Sequence, residues 1–379
     1  MFGPVFRITP AVARALMSIE GSREAIAAFP FDVAMLASLR ETARLRTTHY
    51  STQIEGNRLT EVEVKAAVGG AHVPGRERDE REVRNYYRAL ERIEAIAVGA
   101  GAIREIELRR IHGLVMEGKA TASRYRDGQN VIRDAATRAI VYMPPEASDV
   151  APLMTDLFRW INEQLETDEL PAPILAGLAH YQYATIHPYY DGNGRTARLL
   201  TTLLLHRAGY GLKGIYSLEE YYARNLGRYY RALTVGSSHN YYEGRAEADV
   251  TGFVEYFCRG MADAFLAVRT QAAEAAARGA RDATPVLRRL DPRQRRLLEL
   301  FRARGVVASA EIAEHLRLSP RTVTDLCRAW VAKGFLAMHD PSRKNRSYRL
   351  GTAFEDLLAD ATPRIATKLG TKHRQHRGM

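Results

Sequence analysis

Twelve consecutive residues, His187-Pro188-Tyr189-Tyr190-Asp191-Gly192-Asn193-Gly194-Arg195-Thr196-Ala197-Arg198, bring together a titratable base, a carboxylate, an Asn between two glycines and two arginines. Leu199, Leu200, Leu203, Leu204 and Leu205 follow directly. The first half therefore reads as a loop and the second as the start of a buried helix. Glycines at 192 and 194 free the backbone and let a ligand approach it closely. Amides opening the helix lack internal partners and sit at the positive end of its dipole, so they favour an anion, typically phosphate. Arg195 and Arg198 are three apart, share a helix face and can reach one polyanion. Asp191 is a hard oxygen ligand suited to Mg²⁺, which binds through one or two carboxylates plus substrate phosphates. His187 is the side chain here whose ordinary pKa suits proton abstraction near neutral pH. A His before Pro is by itself more often a hydrogen-bonded structural residue, and a lone Gly-x-Gly a turn. A turn, however, needs neither an arginine pair nor a carboxylate. The combination describes a phosphate-transfer site.

Around it stands a chain of 379 residues, long enough for two or three domains and a substantial core. A hydrophobic content of 46% and a charged content of 26% are ordinary for a soluble globular protein. Cys258 and Cys327 are far apart and form no Cys-x-x-Cys, which argues against a disulfide framework or a zinc site and fits a reducing cytoplasm. The first residues lack the basic-then-apolar plan of a signal peptide, and no apolar run approaches the ~20 residues of a membrane helix, so no membrane association is expected. The net charge of +11 is uneven: residues 281–379 hold 21 Lys+Arg against 10 Asp+Glu, and residues 1–280 hold 34 of each. Basicity thus belongs to the C-terminal part and points to a polyanionic partner there.

Residues 1–95 form a helical region, with apolar residues at helical spacing over Ala11–Met17, Phe31–Arg46 and Glu80–Ala97. Within it, Ser51 and Glu55 are four apart on one helix face, and Gly56 is a plausible helix-ending residue. An acidic residue at that end is mildly unfavourable to the helix dipole, a small local cost that asks for a reason. Ile103 to Met116 reads as another amphipathic helix. Tyr125–Arg133 and Ala139–Pro145 are β-prone runs around a polar turn, the one good hairpin candidate. Pro152–Gln164 and Ile174–Ile186 are helices leading to the loop, and 216–242 is rich in tyrosines at helical spacing, which is more often core packing than ligand contact. Ala262–Ala283 has the composition of a connecting helix, with Pro285 as a boundary.

The twelve-residue stretch resembles the signature of the Fic family, His-x-Phe-x-(Asp/Glu)-Gly-Asn-Gly-Arg-x-x-Arg, and departs from it at Tyr189, where a phenol replaces the usual Phe and asks for a hydrogen-bond partner. Ser51 to Gly56 resembles the family's inhibitory motif, (Ser/Thr)-x-x-x-Glu-(Gly/Asn), placed N-terminal to the catalytic loop. The resemblance implies transfer of AMP from ATP to a Ser, Thr or Tyr hydroxyl of a protein target, which could be the chain itself. It gives His187 as general base, Asp191 as the Mg²⁺ ligand, Gly192, Asn193 and Gly194 as the phosphate cradle, and Arg195 and Arg198 as neutralising arginines. Glu55 is implied to pair with Arg198 and hold ATP in an unproductive pose. The hairpin is implied to be a flap that holds the target by strand addition. Asn225, Tyr229 and Tyr230 fall where an adenine-side wall is expected. Alternatives within the family stay open: removal of AMP with Glu55 as a working residue, or transfer of phosphocholine, UMP or a γ-phosphate. A homodimer is compatible with such inhibitory arrangements.

Residues 286–350 change character. Pro292–Arg304, Ser309–Leu316 with Ser309 as cap, and a helix opened by Ser319 and Pro320 precede two short strands, Gly334–Met338 and Ser347–Leu350, that bracket a basic turn at 343–346. The order resembles a winged helix-turn-helix, with Arg321, Thr322, Thr324 and Arg328 on the recognition helix. Such modules bind DNA or protein, so a chiefly DNA-binding regulator is the reading from outside the enzymes. The expected architecture is mainly α: a helical region with the inhibitory helix (1–95), a Fic-type helical core with a β-hairpin flap (96–245), a helical connector (246–285), a C-terminal winged helix-turn-helix domain (286–352) and a flexible tail (353–379).

Overall fold

The computed structural model describes residues 2–31, 33–133, 137–236, 238–278, 290–342, 346–352 and 354. Within them the chain is mainly helical with two small antiparallel sheets. Contacts divide it into two units, Met1–Pro30 with Ser38–Ala280, and Phe31–Ala37 with Arg281–Met379.

In the first unit follow α1 (Pro10–Ala27), α2 (Val33–Ile54, its opening residues counting with the second unit), α3 (Glu61–Val68), α4 (Glu77–Val98) and α5 (Glu105–Glu117). A hairpin of β1 (Ile132–Arg133) and β2 (Ile140–Tyr142) comes next, then α6 (Ala147–Thr167), α7 (Ala172–Ile186), α8 (Asn193–Arg207), α9 (Glu219–Arg224), α10 (Leu226–Leu233) and α11 (Thr251–Arg278). The centre is α7. Its sequence is apolar on every face and nearly all of it is buried, as a helix enclosed by other helices must be. It packs on α8, α6 and α11. Gly177 allows the last of these contacts, since a Cβ there would lie 2.9 Å from the Phe257 ring. One polar chain crosses the core: His180 bonds Thr201 Oγ1 on one side and the Tyr229 hydroxyl on the other, each at 2.9 Å.

The second unit holds α12 (Pro292–Ala303), β3 (Val307–Ala308), α13 (Ser309–Leu316), α14 (Pro320–Ala332), β4 (Leu336–Asp340) and β5 (Ser347–Leu350) around a core that includes Leu297, Val323, Cys327, Trp330 and Tyr348. Ser319 caps α14 as expected, its Oγ accepting the Thr322 N–H at 3.2 Å. Ser309 does not cap α13. The cap position is Ala308, whose N–H goes to Glu311 at 2.8 Å, because β3 pairs with β5 up to the helix and takes the Ser309 N–H to the Arg346 carbonyl at 2.9 Å. That pairing makes the sheet three-stranded, order β3-β5-β4, rather than a two-stranded wing.

Other differences are of extent. Among the described residues the hairpin keeps four paired residues, because Tyr125–Val131 is drawn toward the His187 loop. The capping box Thr60–Glu63 starts α3, a helix the apolar spacing did not reveal. The expected connector, 246–285, takes in α11, which carries core residues such as Phe253, Phe257, Met261 and Phe265. Pro285, Arg343 to Asn345 and the tail from 355 onward lie outside the described residues.

Adding a methyl at the α7–α11 contact tests this centre. Gly177→Ala should lower stability by about 1–3 kcal/mol through overpacking, whereas Gly21→Ala on α1, where a Cβ meets nothing within 4 Å, should not destabilise. Urea unfolding of the two variants reads the contrast. Equal stabilities would mean α11 does not press on α7.

Candidate active site around the His187 loop

α7 ends where Pro188 forbids its continuation, and His187 takes up the strain at φ +51°, ψ +61° in the left-handed region. Its N–H still closes the helix on the Tyr183 carbonyl at 3.0 Å. The imidazole Nδ1 lies 3.3 Å from the Ala184 carbonyl, which can only accept, so Nδ1 carries the proton of the neutral ring and Nε2 is left as a base. Burial pushes the His187 imidazole down to about 4; the Ala184 carbonyl, Glu55 and Asp191 oppose that shift and the Arg126 guanidinium adds to it. At neutral pH this ring is neutral, with Nε2 as its acceptor.

The loop is shaped by its own side chains. Asn193 reaches back across four residues, donating to the Tyr189 carbonyl at 2.7 Å and accepting the Tyr189 N–H at 3.0 Å. Its side chain is therefore spent on the loop, and its backbone amide is what remains for a phosphate. Tyr189 is buried with its ring stacked on His112, centroids 3.5 Å apart. Its hydroxyl forms no hydrogen bond among the described residues, so the expected partner is not there. Gly192, at φ +77°, has no room for a Cβ, which would meet Met116 Sδ at 2.6 Å and His112 Nε2 at 3.0 Å. No side chain caps α8, and its first amides have no intrahelical partner.

Three charged assemblies hold the loop and the start of α8. Arg198, 1% exposed, donates Nε to Ser51 Oγ, Nη2 to the Ser51 carbonyl and Nη2 to Glu55 Oε1, all at 2.8 Å. Its Nη1 is buried without a partner. The Glu55 carboxylate, 24% exposed, lies so close over Gly194 that a Cβ there would clash with it. Arg195 is buried between Glu82 of α4 and Asp191, the latter at 3.0 Å. Asp191 is 60% exposed and spends Oδ1 on Arg195 and on the Gly192 N–H at 2.6 Å, leaving Oδ2 outward. Arg126 is buried with its Nε on the His187 carbonyl at 3.0 Å, Nη1 on Gly128 at 3.0 Å and Nη2 on Pro145.

Of the residues expected at the site, His187, Asp191, Gly192, Asn193, Gly194, Arg195, Arg198, Ser51, Glu55 and Gly56 are gathered in one place. The tyrosine region is different. Tyr229 is buried, with its hydroxyl on His180 and its ring stacked on Tyr222, so it packs the core rather than facing a cleft. Asn225 caps α10 by accepting the Arg228 N–H at 3.0 Å. Tyr230 is exposed, its hydroxyl 3.5 Å from the Ile54 carbonyl next to Glu55. Arg321, Thr322, Thr324 and Arg328 belong to the second unit; Arg321 is exposed, and Arg328 pairs with Asp325 at 3.3 Å. Sequence reasoning missed three residues. His112 holds the Asp191 carbonyl at 3.0 Å, Glu82 holds Arg195 and Arg126 holds the His187 carbonyl. A histidine within the apolar face of α5 was the one available signal.

Residues 102–205 match the Fic/DOC family. The protein adenylyltransferase Fic of Drosophila erecta is 31% identical over 201 residues, 52% of this chain and 39% of that protein. Its counterpart from Drosophila ananassae is 30% identical over the same span. These relatives are named for a nucleotidyltransferase activity, and the chain spans 39% of their length. A Fic family protein of Desulfovibrio desulfuricans G20 superposes with a TM-score of 0.58 at 26% identity, covering 92% of this chain and 98% of the other. A Fic domain containing signaling protein of Bacteroides thetaiotaomicron gives 0.60 at 22% identity over 71% of this chain and 99% of its own, which shows the shared fold.

Histidines that burial holds neutral, His180 among them, predict an acid sensitivity. Burial, with Arg198 adding to it, pushes His180 down to about 3. A histidine depressed in the folded state binds fewer protons than in the unfolded chain, so the stability it lends is whole above about pH 6.5 and is lost on acidification through the folded value. Stability measured by urea unfolding should fall from pH 7 to 5, and His180→Gln should fall less steeply. Parallel slopes would remove His180 as the source.

Proposed function

We propose that this chain transfers AMP from ATP to a hydroxyl of a protein target, restrained by its own Glu55. The observation that carries the reading is the Arg198 guanidinium: buried, with one nitrogen unpaired and another held by a carboxylate that lies over the uncapped first turn of α8. Amides and guanidinium together suit a polyphosphate, and a carboxylate occupies part of that space. The naming of the Drosophila relatives supports the choice of AMP as the group moved.

In the proposed reaction the target hydroxyl oxygen attacks the α-phosphorus, the bond to the pyrophosphate oxygen breaks, and the hydroxyl proton passes to His187 Nε2. Nδ1–H on the Ala184 carbonyl keeps Nε2 free for it. A bound triphosphate would draw the imidazole pKa back toward neutrality, because negative charge favours the protonated ring. The first-turn amides of α8 and the buried arginines hold the phosphates, so catalysis rests on positioning and fixed charge. Asp191, exposed and with Oδ2 outward, fits Mg²⁺ held mainly by substrate phosphates, since no group of three or more His, Cys, Asp or Glu could hold a metal among the described residues. When bound, the ion supplies charge neutralisation on the phosphates. Glu55 on Arg198 competes with the terminal phosphate and adds like charge there, which is the basis of the proposed inhibition by the Ser51–Gly56 segment.

Incubation with Mg²⁺ and ATP labelled on the α- or the γ-phosphate tests the reading. Glu55→Gly should retain α-label on protein at least tenfold faster than the parent chain, and His187→Ala in that background should abolish it. Label from the γ-position would mean a kinase-like pose. No label with either nucleotide, together with release of AMP from a modified target, would favour hydrolysis.

A second reading concerns the second unit. Three helices and a small antiparallel sheet, with the whole +11 charge in residues 281–379 and Arg321 exposed, support a winged helix-turn-helix that contacts nucleic acid. Binding to duplex DNA should weaken steeply with salt and weaken further in Arg321→Ala. Affinity insensitive to both would leave a protein-binding module.

A further inference from the structure

Arg126 is a buried cation with no carboxylate beside it among the described residues; all its side-chain bonds go to main-chain carbonyls. Burial without a counter-charge is expensive unless every bond is made, so the arrangement calls for a purpose. Its geometry supplies one. Gly128 precedes the β1–β2 hairpin and Pro145 follows it, so Nη1 and Nη2 close the hairpin at its base. Nε reaches the His187 carbonyl, and the Arg126 N–H reaches the Pro188 carbonyl at 3.0 Å. One residue therefore ties both roots of the hairpin to the main chain of the base. The hairpin's β2 residues Ile140 and Val141 are partly exposed.

We propose that Arg126 is a positioning residue that registers the base of the hairpin against His187, so that a target segment lying along the hairpin is presented to Nε2 at fixed reach. The inference rests on the transfer reaction proposed above. A planar guanidinium spans three carbonyls at once, and a lysine ammonium on its flexible stem does not. The role is distinct from nucleotide binding, since Arg126 touches neither the α8 amides nor Arg198.

The test uses full-length protein in the Glu55→Gly background. Gln129→Ala serves as a control, removing a neighbouring hairpin-base bond, Gln129 Nε2 to the Pro144 carbonyl at 3.0 Å, that does not reach His187. Arg126→Lys should keep ATP affinity by calorimetry within about twofold and lower kcat for α-label transfer at least tenfold. It should also speed amide exchange in residues 186–192. Gln129→Ala should change kcat less than about twofold. The proposal is overturned if Arg126→Lys retains kcat, if Gln129→Ala loses as much, or if ATP affinity or the cooperative fold is lost along with kcat. Should the Glu55→Gly parent transfer no label, the transfer reading fails by itself and exchange decides this one: faster exchange confined to 186–192 supports the registering role, and unchanged exchange overturns it.

Discussion

A guanidinium with almost no contact with water has to be compensated, and the way Arg198 is compensated organises the site. Ser51 supplies a hydroxyl and a carbonyl, Glu55 supplies charge, and one nitrogen is left over. Taking a charge out of water costs several kcal/mol unless opposite charge and hydrogen bonds replace the solvent. The last turn of α2 therefore has to stay against α8. The same demand explains why an acidic residue stands at the end of α2, where the helix dipole opposes it: the gain at Arg198 offsets the loss.

Around that pair the loop is built to leave backbone groups free. Asn193 ties its own side chain to Tyr189, Gly192 turns where no side chain fits, and His187 accepts a left-handed conformation at the end of α7. Each device uses up a side chain or a conformation and leaves N–H groups unspent at the start of α8. A neutral, desolvated histidine beside unspent amides and a buried arginine is an arrangement that suits a ligand bringing negative charge.

The second set of constraints comes from supporting residues. His112 fixes the Asp191 carbonyl and backs the Tyr189 ring, Glu82 fixes Arg195, and Arg126 joins the hairpin to the His187 carbonyl. They come from α4, α5 and the segment after α5, so the loop is held from several sides. Because protein interiors are close-packed and stiff, holding the main chain of the loop also holds its side chains.

Much was determined by the sequence alone. The set of functional groups gathered in the 187–198 stretch, the helical fold class, the capping by Ser319 and the concentration of positive charge after residue 280 all follow from local residue types and spacing. The contact of Glu55 with Arg198 was implied by resemblance to the Fic motifs, and spacing could not supply it. What only the tertiary structure decided is which faces meet. Helical periodicity tells which side of α4 is buried, yet Glu82 stands among Glu77, Asp79, Glu80, Arg78, Arg81 and Arg84, and nothing local marks it as the one that holds Arg195. Arg126 looks like a polar turn residue until the hairpin folds back over it. Tyr229 and Tyr230 are adjacent and alike in sequence, but one packs on His180 in the core and the other is exposed near Glu55. A polar or aromatic side chain carries no record of its partner; the partner is set by how distant helices pack.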